Sequence, residues 1–476
     1  MRIEILDEPE LEFGGGQRHV DPRFGISAYG PADLGDKDAP TKIRLGLVGS
    51  REQIDGIRRW IERCRRLIAV EDKRHPHLFP AFPGCTPSTG LCTTLYLAAS
   101  KCRQLPDEAL RRIGNLRGEL AVQAAVALYL DELRALAEDG QVNTILVAWP
   151  EAIHSVLDTR PAGRQRSSRR TGHPLPKANF HDLLKARALP LGIPLQIIQR
   201  STWDEYAPPP LKRSPQDEAC RAWNLHIAMY YKASGIPWRM RRETRVPHSC
   251  YMGLSFYRPA ASDDLIKAVG HIIDGRREGL IAHGGTAYIR DKDGQPHMPA
   301  ADARELMMTA LTEYQREQHS PPARLAIHKS SCFTDEETEG FTAAANERDI
   351  PALDMVWLER SENTMIFRPG TAPPLRGTFM TLCPSEHLIY TTGSTDFYSA
   401  YPGSYTPRPL GLRPAQMTVS PRALGIEMLT LSKMNWNHSR LDGKLPVTLQ
   451  SADQAAQILR FCDPDQDLGS RYAQYM

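Results

Sequence analysis

The chain has 476 residues, 41% of them hydrophobic and 24% charged, with a formal net charge of +3 at pH 7. That balance excludes a disordered polyelectrolyte and gives length for roughly two to four domains, so a polyanionic partner must be met by local patches of charge. No apolar run reaches the roughly 18–20 residues of a membrane span, the opening MRIEILDEPE lacks the layout of a secretory signal, and the nine cysteines form no CxxC pair, which points to a cytoplasmic protein without a disulfide framework or zinc knuckle.

Residues 1–40 are rich in Gly, Pro and Asp and read as an extended lead-in, with Gly14-Gly15-Gly16 as a turn of positive φ. The run KIRLGLVG (42–49) predicts a buried strand, and Gln53 to Ile68 carries apolar residues at helical spacing. Asp107 to Glu138 predicts a long helix and Asn143 to Pro150 a strand. Helix Phe180 to Leu189, strand Ile193 to Ile198 and helix Asp217 to Ser234 follow. Alternating strands and helices over 40–240 argue for a parallel, Rossmann-like α/β sheet.

The second half predicts strands at Ser249–Tyr257, Gly279–Ile289, Arg324–Ile327 and Ala352–Leu358, with helices at Ala300–Gln318 and Thr334–Arg348. A Gly/Pro/Tyr-rich region from Gly370 to Pro414, a helix from Pro421 to about Leu431 and a tail complete a mixed α/β domain. Two runs are dominated by arginine. One holds Arg160, Arg164, Arg166, Arg169, Arg170 and Lys177, the other Arg239, Arg241, Arg242 and Arg245. Such runs are commonly solvated loops, yet guanidinium is also the group that matches phosphate bidentately. No P-loop, GxGxxG, HExxH or GxSxG signature is present.

The most informative stretch runs from Asn224 to Trp238. Asn224 and Lys232 lie two turns apart on nearly one helix face, and Gly235 with Pro237 stops the helix. Read alone, Lys232 is a solvated lysine near a helix C-terminus. The pattern Asn-x7-Lys-x-x-Gly, closing a Rossmann-like region, resembles the MID domain of Argonaute proteins, where this helix helps grip the 5′-phosphate of a guide strand. His181-x-x-x-Lys185 is similar to that family's Tyr-x-x-x-Lys, and Gln196 falls in a strand similar to its Gln segment. The resemblance therefore implies a phosphate pocket of His181, Lys185, Gln196, Asn224 and Lys232. Ala228 stands where many relatives carry a further lysine. In some relatives Mg²⁺ compensates, held partly by the terminal carboxylate; here that implies Met476, with the tail Arg471-Tyr-Ala-Gln-Tyr-Met either inserted in the pocket or frayed.

The lead-in from Leu11 to Pro31 resembles the opening of short prokaryotic Argonautes, and Leu431 to Val447 resembles the end of a PIWI domain. The resemblance implies a lead-in (1–40), a MID domain (41–240) and a ribonuclease H-like PIWI domain (241–476). Active PIWI domains cut with carboxylates that bind two metal ions. At the corresponding positions this chain has Ser255, Ser330 and Asn435, whose neutral side chains are poor ligands for hard cations. Asp335, Glu336 and Glu337 open a helix and read as partners of its dipole.

The expectation is thus a guide-directed recognition chain without slicing activity. His328, Lys329, Lys433 and the arginine runs are candidates for backbone phosphate contacts, and Asn435 and Asn437 for polar ones. Resemblance to short Argonautes implies a 5′-phosphorylated small guide RNA, a single-stranded DNA target and prokaryotic defence. It also implies a separately encoded APAZ-domain effector: sirtuin-like as first choice, otherwise TIR-like or a nuclease. The competing expectation is an active guide-directed endonuclease.

Overall fold

The computed structural model describes all residues except 71–76, 152–178, 205–215, 242–247, 261, 263–264, 277–278, 320, 362–363, 399–400, 402–405 and 464–467. Two large sheets organise it. In the first, strand Lys42–Gly49 lies between Thr94–Tyr96 and Thr144–Ala148, and Leu195–Ile198 follows beyond; Cys102–Gln104 pairs with the end of Lys42–Gly49. All these pairings are parallel. Thr144–Ala148 is buried throughout, as a central parallel strand covered by helices on both faces must be. The covering helices include Arg51–Arg63, Gly118–Glu138, Phe180–Ala188 and Glu218–Lys232.

The second sheet has ten strands. At its centre, Ser249–Tyr257 is antiparallel to Ile266–Ile273, which is antiparallel to Leu280–Arg290. On its other side Ser249–Tyr257 is parallel to Arg324–Lys329, and that strand is parallel to Ala352–Arg360. Helices Ala300–Gln318 and Asp335–Glu347 make the crossovers between them. The resulting order, with the first strand in the middle, is the ribonuclease H-like arrangement. Helix Val447–Leu459 crosses the first strand so closely that a Cβ on Gly253 would lie 2.1 Å from the Thr448 carbonyl oxygen. Only glycine permits that approach.

Several sequence expectations need correction. The lead-in is structured: Arg2–Ile5 joins the edge of the large sheet against Thr378–Cys383, and Leu11–Glu12 pairs with both Arg18–His19 and Arg239–Met240. It also holds a helix, Pro22–Tyr29, because Asp21 caps the main-chain N–H groups of Arg23 and Phe24 and Pro22 occupies the first turn. The helix expected over 107–138 is two, Asp107–Gly114 and Gly118–Glu138, with Gly118 at φ +58° opening the second. Strand Ile266–Ile273, strands Thr378–Cys383, Glu386–Ile389 and Leu410–Gln416, and helix Val447–Leu459 were not anticipated. Gly15 and Gly16 do take positive φ, +63° and +72°.

A candidate anion pocket and the neighbouring carboxylate positions

Helix Phe180–Ala188 starts at Asn179, whose side chain accepts from the Asp182 N–H. It carries Lys185 on an inward face, where the lysine is only 4% exposed. Helix Glu218–Lys232 is capped by Asp217 and ends at Lys232, which is 1% exposed. Ser234, rather than Gly235, takes the left-handed conformation after it (φ +71°). Gly235 is needed for packing instead, since a Cβ there would sit 2.3 Å from the Tyr230 ring.

The two lysines face each other closely enough for their charges to interact. Burial first, and the Lys185 charge second, pull the Lys232 ammonium well below the ordinary lysine value. Lys232 Nζ has no hydrogen-bond partner among the described residues. Lys185 Nζ donates to the main-chain oxygen of Met476. A buried cation without a partner is expensive, so this place is electrostatically suited to an anion.

The tail that brings Met476 here is anchored along its length. Ile281 N–H donates to the Ser470 carbonyl (2.6 Å), Tyr472 N–H to the Gly279 carbonyl (3.0 Å), and Gln474 Nε2 to the Gly192 carbonyl (3.1 Å). Tyr472, Tyr475 and Met476 are buried. The tail therefore connects the ribonuclease H-like sheet to the helices that carry the two lysines.

The remaining expected pocket residues are not drawn together in the same way. His181 lies one turn before Lys185, with Nδ1 2.7 Å from Asp182 Oδ1. Gln196 donates to the Ile197 carbonyl (3.2 Å). Asn224 accepts from both the N–H and the hydroxyl of Ser439 (2.9 Å each) and donates to Gln216. Its helix position lies about 12 Å along the axis from Lys232. Asn224 thus ties the helix to the segment 431–447. Ala228 is buried at 2% exposure. A Mg²⁺ ion at this place would need several oxygen ligands. The main-chain oxygen of Met476 accepts from Lys185, and the Asp182 oxygens face His181 and Asn179.

Three expected backbone-phosphate contacts are corrected by burial. Lys433 donates to Glu8 (2.9 Å) and to the Pro9 carbonyl (2.5 Å), and Arg376 donates to the same Glu8 (2.8 Å). Burial alone would raise the Glu8 carboxyl, but the two cations hold it below its usual value. Lys329 is fully buried against Glu337, and His328, also fully buried, meets Thr448 at 3.0 Å. A side chain committed inside the core cannot also reach a duplex. Arg239 is paired with Asp36 at 3.0 Å, and Arg241 lies 3.5 Å from Glu10 while remaining exposed. Arg164, Arg166, Arg169, Arg170 and Arg242 lie outside the described residues.

Ser255 and Ser330 sit where the two parallel strands run side by side, one residue beyond the Leu254–Lys329 pairing. Ser255 donates to Asp453 (2.8 Å), and Asn435 donates to Gln450 (2.9 Å). Both partners come from helix Val447–Leu459. Sequence reasoning missed Asp453 because it missed this helix, although apolar spacing at Val447, Ala452, Ala455, Ala456 and Leu459 was available as a signal. Glu337 caps its own helix in a capping box with Thr334.

No protein-family model matches the chain, and no curated protein matches its sequence. Solved structures do resemble its fold. Clostridium butyricum Argonaute, bound to a guide DNA with a 5′ deoxycytidine and a 19-mer target DNA, is 15% identical, covers 99% of this chain and 54% of its own, and superposes with a TM-score of 0.66. Aa-Ago with externally bound siRNA is 12% identical, with 99% and 56% covered and a TM-score of 0.60. Drosophila Piwi is 13% identical, with 99% and 56% covered and a TM-score of 0.58. The chain spans about half the length of these proteins. At such identities the likeness carries the fold: this chain folds as the MID–PIWI portion of an Argonaute protein, with a ribonuclease H-like PIWI sheet.

Proposed function

We propose that this chain is a guide-directed nucleic-acid recognition protein. In this reading residues 41–240 act as the MID domain and 241–476 as the PIWI domain, with the lead-in laced into both. The 5′-phosphate of a small guide RNA occupies the place between Lys185 and Lys232, and a single-stranded DNA target pairs with the guide. The observation that carries this is the buried, unpartnered Nζ of Lys232 beside Lys185 and Met476. Two ammonium groups neutralise a terminal phosphate, and each charge-assisted hydrogen bond contributes about 1.5–3 kcal/mol.

The chain holds a target without cutting it. Support comes from the neutral residues Ser255, Ser330 and Asn435 at the positions where the family's carboxylates are expected. Destruction of the invader's host, as prokaryotic defence in the cytoplasm, then falls to a separate APAZ-domain effector, sirtuin-like before TIR-like or nuclease. Target pairing must favour one arrangement of the two chains over another for that signal to pass. Asp453, beside Ser255, is the observation that favours the competing reading of an active endonuclease. One carboxylate by itself leaves most of a two-metal site unsupplied.

The test compares 5′-phosphorylated with 5′-hydroxyl RNA for binding to the full chain and to Lys185→Ala/Lys232→Ala. Preference for the phosphate in the wild type alone supports the pocket; equal binding of both ends refutes it. Incubation with a matched DNA target and Mg²⁺ or Mn²⁺ tests the second half of the reading, since guide-dependent cutting by pure protein would overturn it.

A further inference from the structure

A cluster unrelated to the lysine pocket lies where the turn after strand Leu280–Arg290 meets the segment following Arg324–Lys329. Asp293, His297 and Cys332 each offer one donor atom, and all three atoms lie within 4.8 Å of one another. His297 Nε2 is 3.1 Å from Asp293 Oδ2, and Cys332 Sγ is 3.4 Å from the same oxygen. Ligands of a tetrahedral Zn²⁺, at their usual bond lengths, stand about 3.3–3.6 Å apart. We infer that Asp293, His297 and Cys332 form a three-ligand site for a borderline-soft divalent metal, Zn²⁺ before others, with a fourth position left for water.

The surroundings are those of a prepared ligand set. His297 is fully buried, and its Nδ1 lies 3.2 Å from Glu337 Oε2. With a metal bound, Nδ1–H donated to Glu337 would leave the Nε2 lone pair for the ion beside Asp293, the carboxylate–histidine–metal pattern that orients imidazole ligands. Lys329 Nζ approaches His297 Nδ1 at 3.1 Å; two of its three donors serve Glu337 and the Cys332 carbonyl (3.2 Å), and metal binding requires the third to turn from Nδ1 so that Nδ1 can donate to Glu337. Glu337 is itself fixed by the Thr334 and Met298 N–H groups. A thiolate and an imidazole disfavour Mg²⁺ and Ca²⁺, whereas a thiolate with a carboxylate balances the charge of a divalent ion.

In this structure a cation already stands at the cluster. Arg290 donates to Asp293 and lies 3.2 Å from Cys332 Sγ. Its side chain is partly exposed. The guanidinium therefore stands against the Asp293 carboxylate and the Cys332 thiol, and it yields its place to the metal as the thiol gives up its proton. The site staples the turn at 291–294 to the segment just beyond Ser330. This inference does not depend on the guide-binding reading.

The test is titration of the metal-stripped full chain with Co²⁺, following the thiolate-to-cobalt charge-transfer absorption. An equimolar, saturable band displaced by Zn²⁺ but not by Mg²⁺ is the expected result. Cys332→Ser abolishes the band, and Glu337→Gln weakens binding by about 10–100-fold. Arg290→Gln binds more tightly, because the competing guanidinium is gone. Thermal unfolding of each variant establishes that it is folded. No band in the wild type, or the same band and affinity in folded Cys332→Ser, overturns the site. Unchanged or weaker binding by Arg290→Gln overturns the exchange of guanidinium for metal.

Discussion

Lys185 Nζ donates to the main-chain oxygen of Met476, a residue 291 positions later, and so joins the first helix of the anion pocket to the end of the tail. Lys232, on the next helix, completes the arrangement with an ammonium that no described residue satisfies. The pocket is assembled across the whole chain, and an ammonium buried there without a partner among the described residues is electrostatically costly.

Replacing Lys232 by methionine separates stability from binding. The apolar substitute removes a buried charge without leaving a cavity, so the unliganded chain should melt at a higher temperature. The same variant should lose about 10–100-fold in affinity for 5′-phosphorylated RNA, the equivalent of one charge-assisted bond. Calorimetric melting and filter binding read the two effects. A lower melting temperature would contradict the unpartnered state of this lysine.

Proton uptake should accompany guide binding. Burial and Lys185 lower the Lys232 pKa in the empty fold, and a phosphate would raise it again. The folded chain then holds fewer protons than the unfolded one, so Lys232 makes the empty fold less stable as pH falls from the ordinary lysine value toward the lowered one. Titration calorimetry in buffers of different ionisation enthalpy should show proton uptake with 5′-phosphorylated RNA, and less of it in Lys232→Met. Equal values for both proteins would refute this linkage.

Three buried histidines predict loss of stability in acid. Burial lowers His226 to about 4 and His271 to about 3, and burial with Arg324 lowers His328 to about 3. Below the ordinary value of 6.5 the unfolded chain takes up protons that the folded chain does not, so stability is lost as pH falls toward these lowered values. At pH 5 each contributes a loss of about 2 kcal/mol. His271, whose two ring nitrogens have no hydrogen-bond partner among the described residues, gives the clearest test. His271→Leu should retain more of its pH 7 melting temperature at pH 5 than the wild type does.

Lys433→Ala should act on folding and leave the salt dependence of nucleic-acid binding unchanged. Its ammonium is held by Glu8 and the Pro9 carbonyl, and breaking a buried pair costs about 3–5 kcal/mol. A surface phosphate contact would instead reduce the slope of affinity against salt by about one counterion per phosphate. Melting and salt titration of the folded fraction distinguish these outcomes.

Gly253→Ala should be strongly destabilising, because the new Cβ would meet the Thr448 carbonyl in helix Val447–Leu459. Overpacking of this kind costs about 1–3 kcal/mol or more. Denaturant unfolding checks it, and an unchanged midpoint would mean that the helix does not cross the strand there.

Periodicity was sufficient for much of the fold. Ser249–Tyr257, Ala300–Gln318 and Pro421–Leu431 have the same bounds in sequence and structure, since each has an apolar pattern with clear stop signals. The strands between Gly370 and Pro414 were hidden by glycine and proline, which sheet pairing tolerates at edges and bulges. Lys185 and Lys232 were legible as candidates from their spacing on helices. Their convergence with Met476 was not, nor was the commitment of Asn224 to Ser439, because helical spacing defines a face and not what that face meets.

By itself the sequence determined the alternation of strands and helices, the α/β class and the neutral side chains at Ser255, Ser330 and Asn435, because these depend on residue type and local period. Only the tertiary structure decided which cations are free to meet an anion. Lys232 and Lys433 look alike in sequence, yet one is buried without a partner among the described residues and the other is bound to Glu8. Likewise Asp293, His297 and Cys332 carry no recognisable spacing and meet only through the fold. Charge pairing is a contact between distant segments, and its energy is set by burial and geometry that no local pattern encodes.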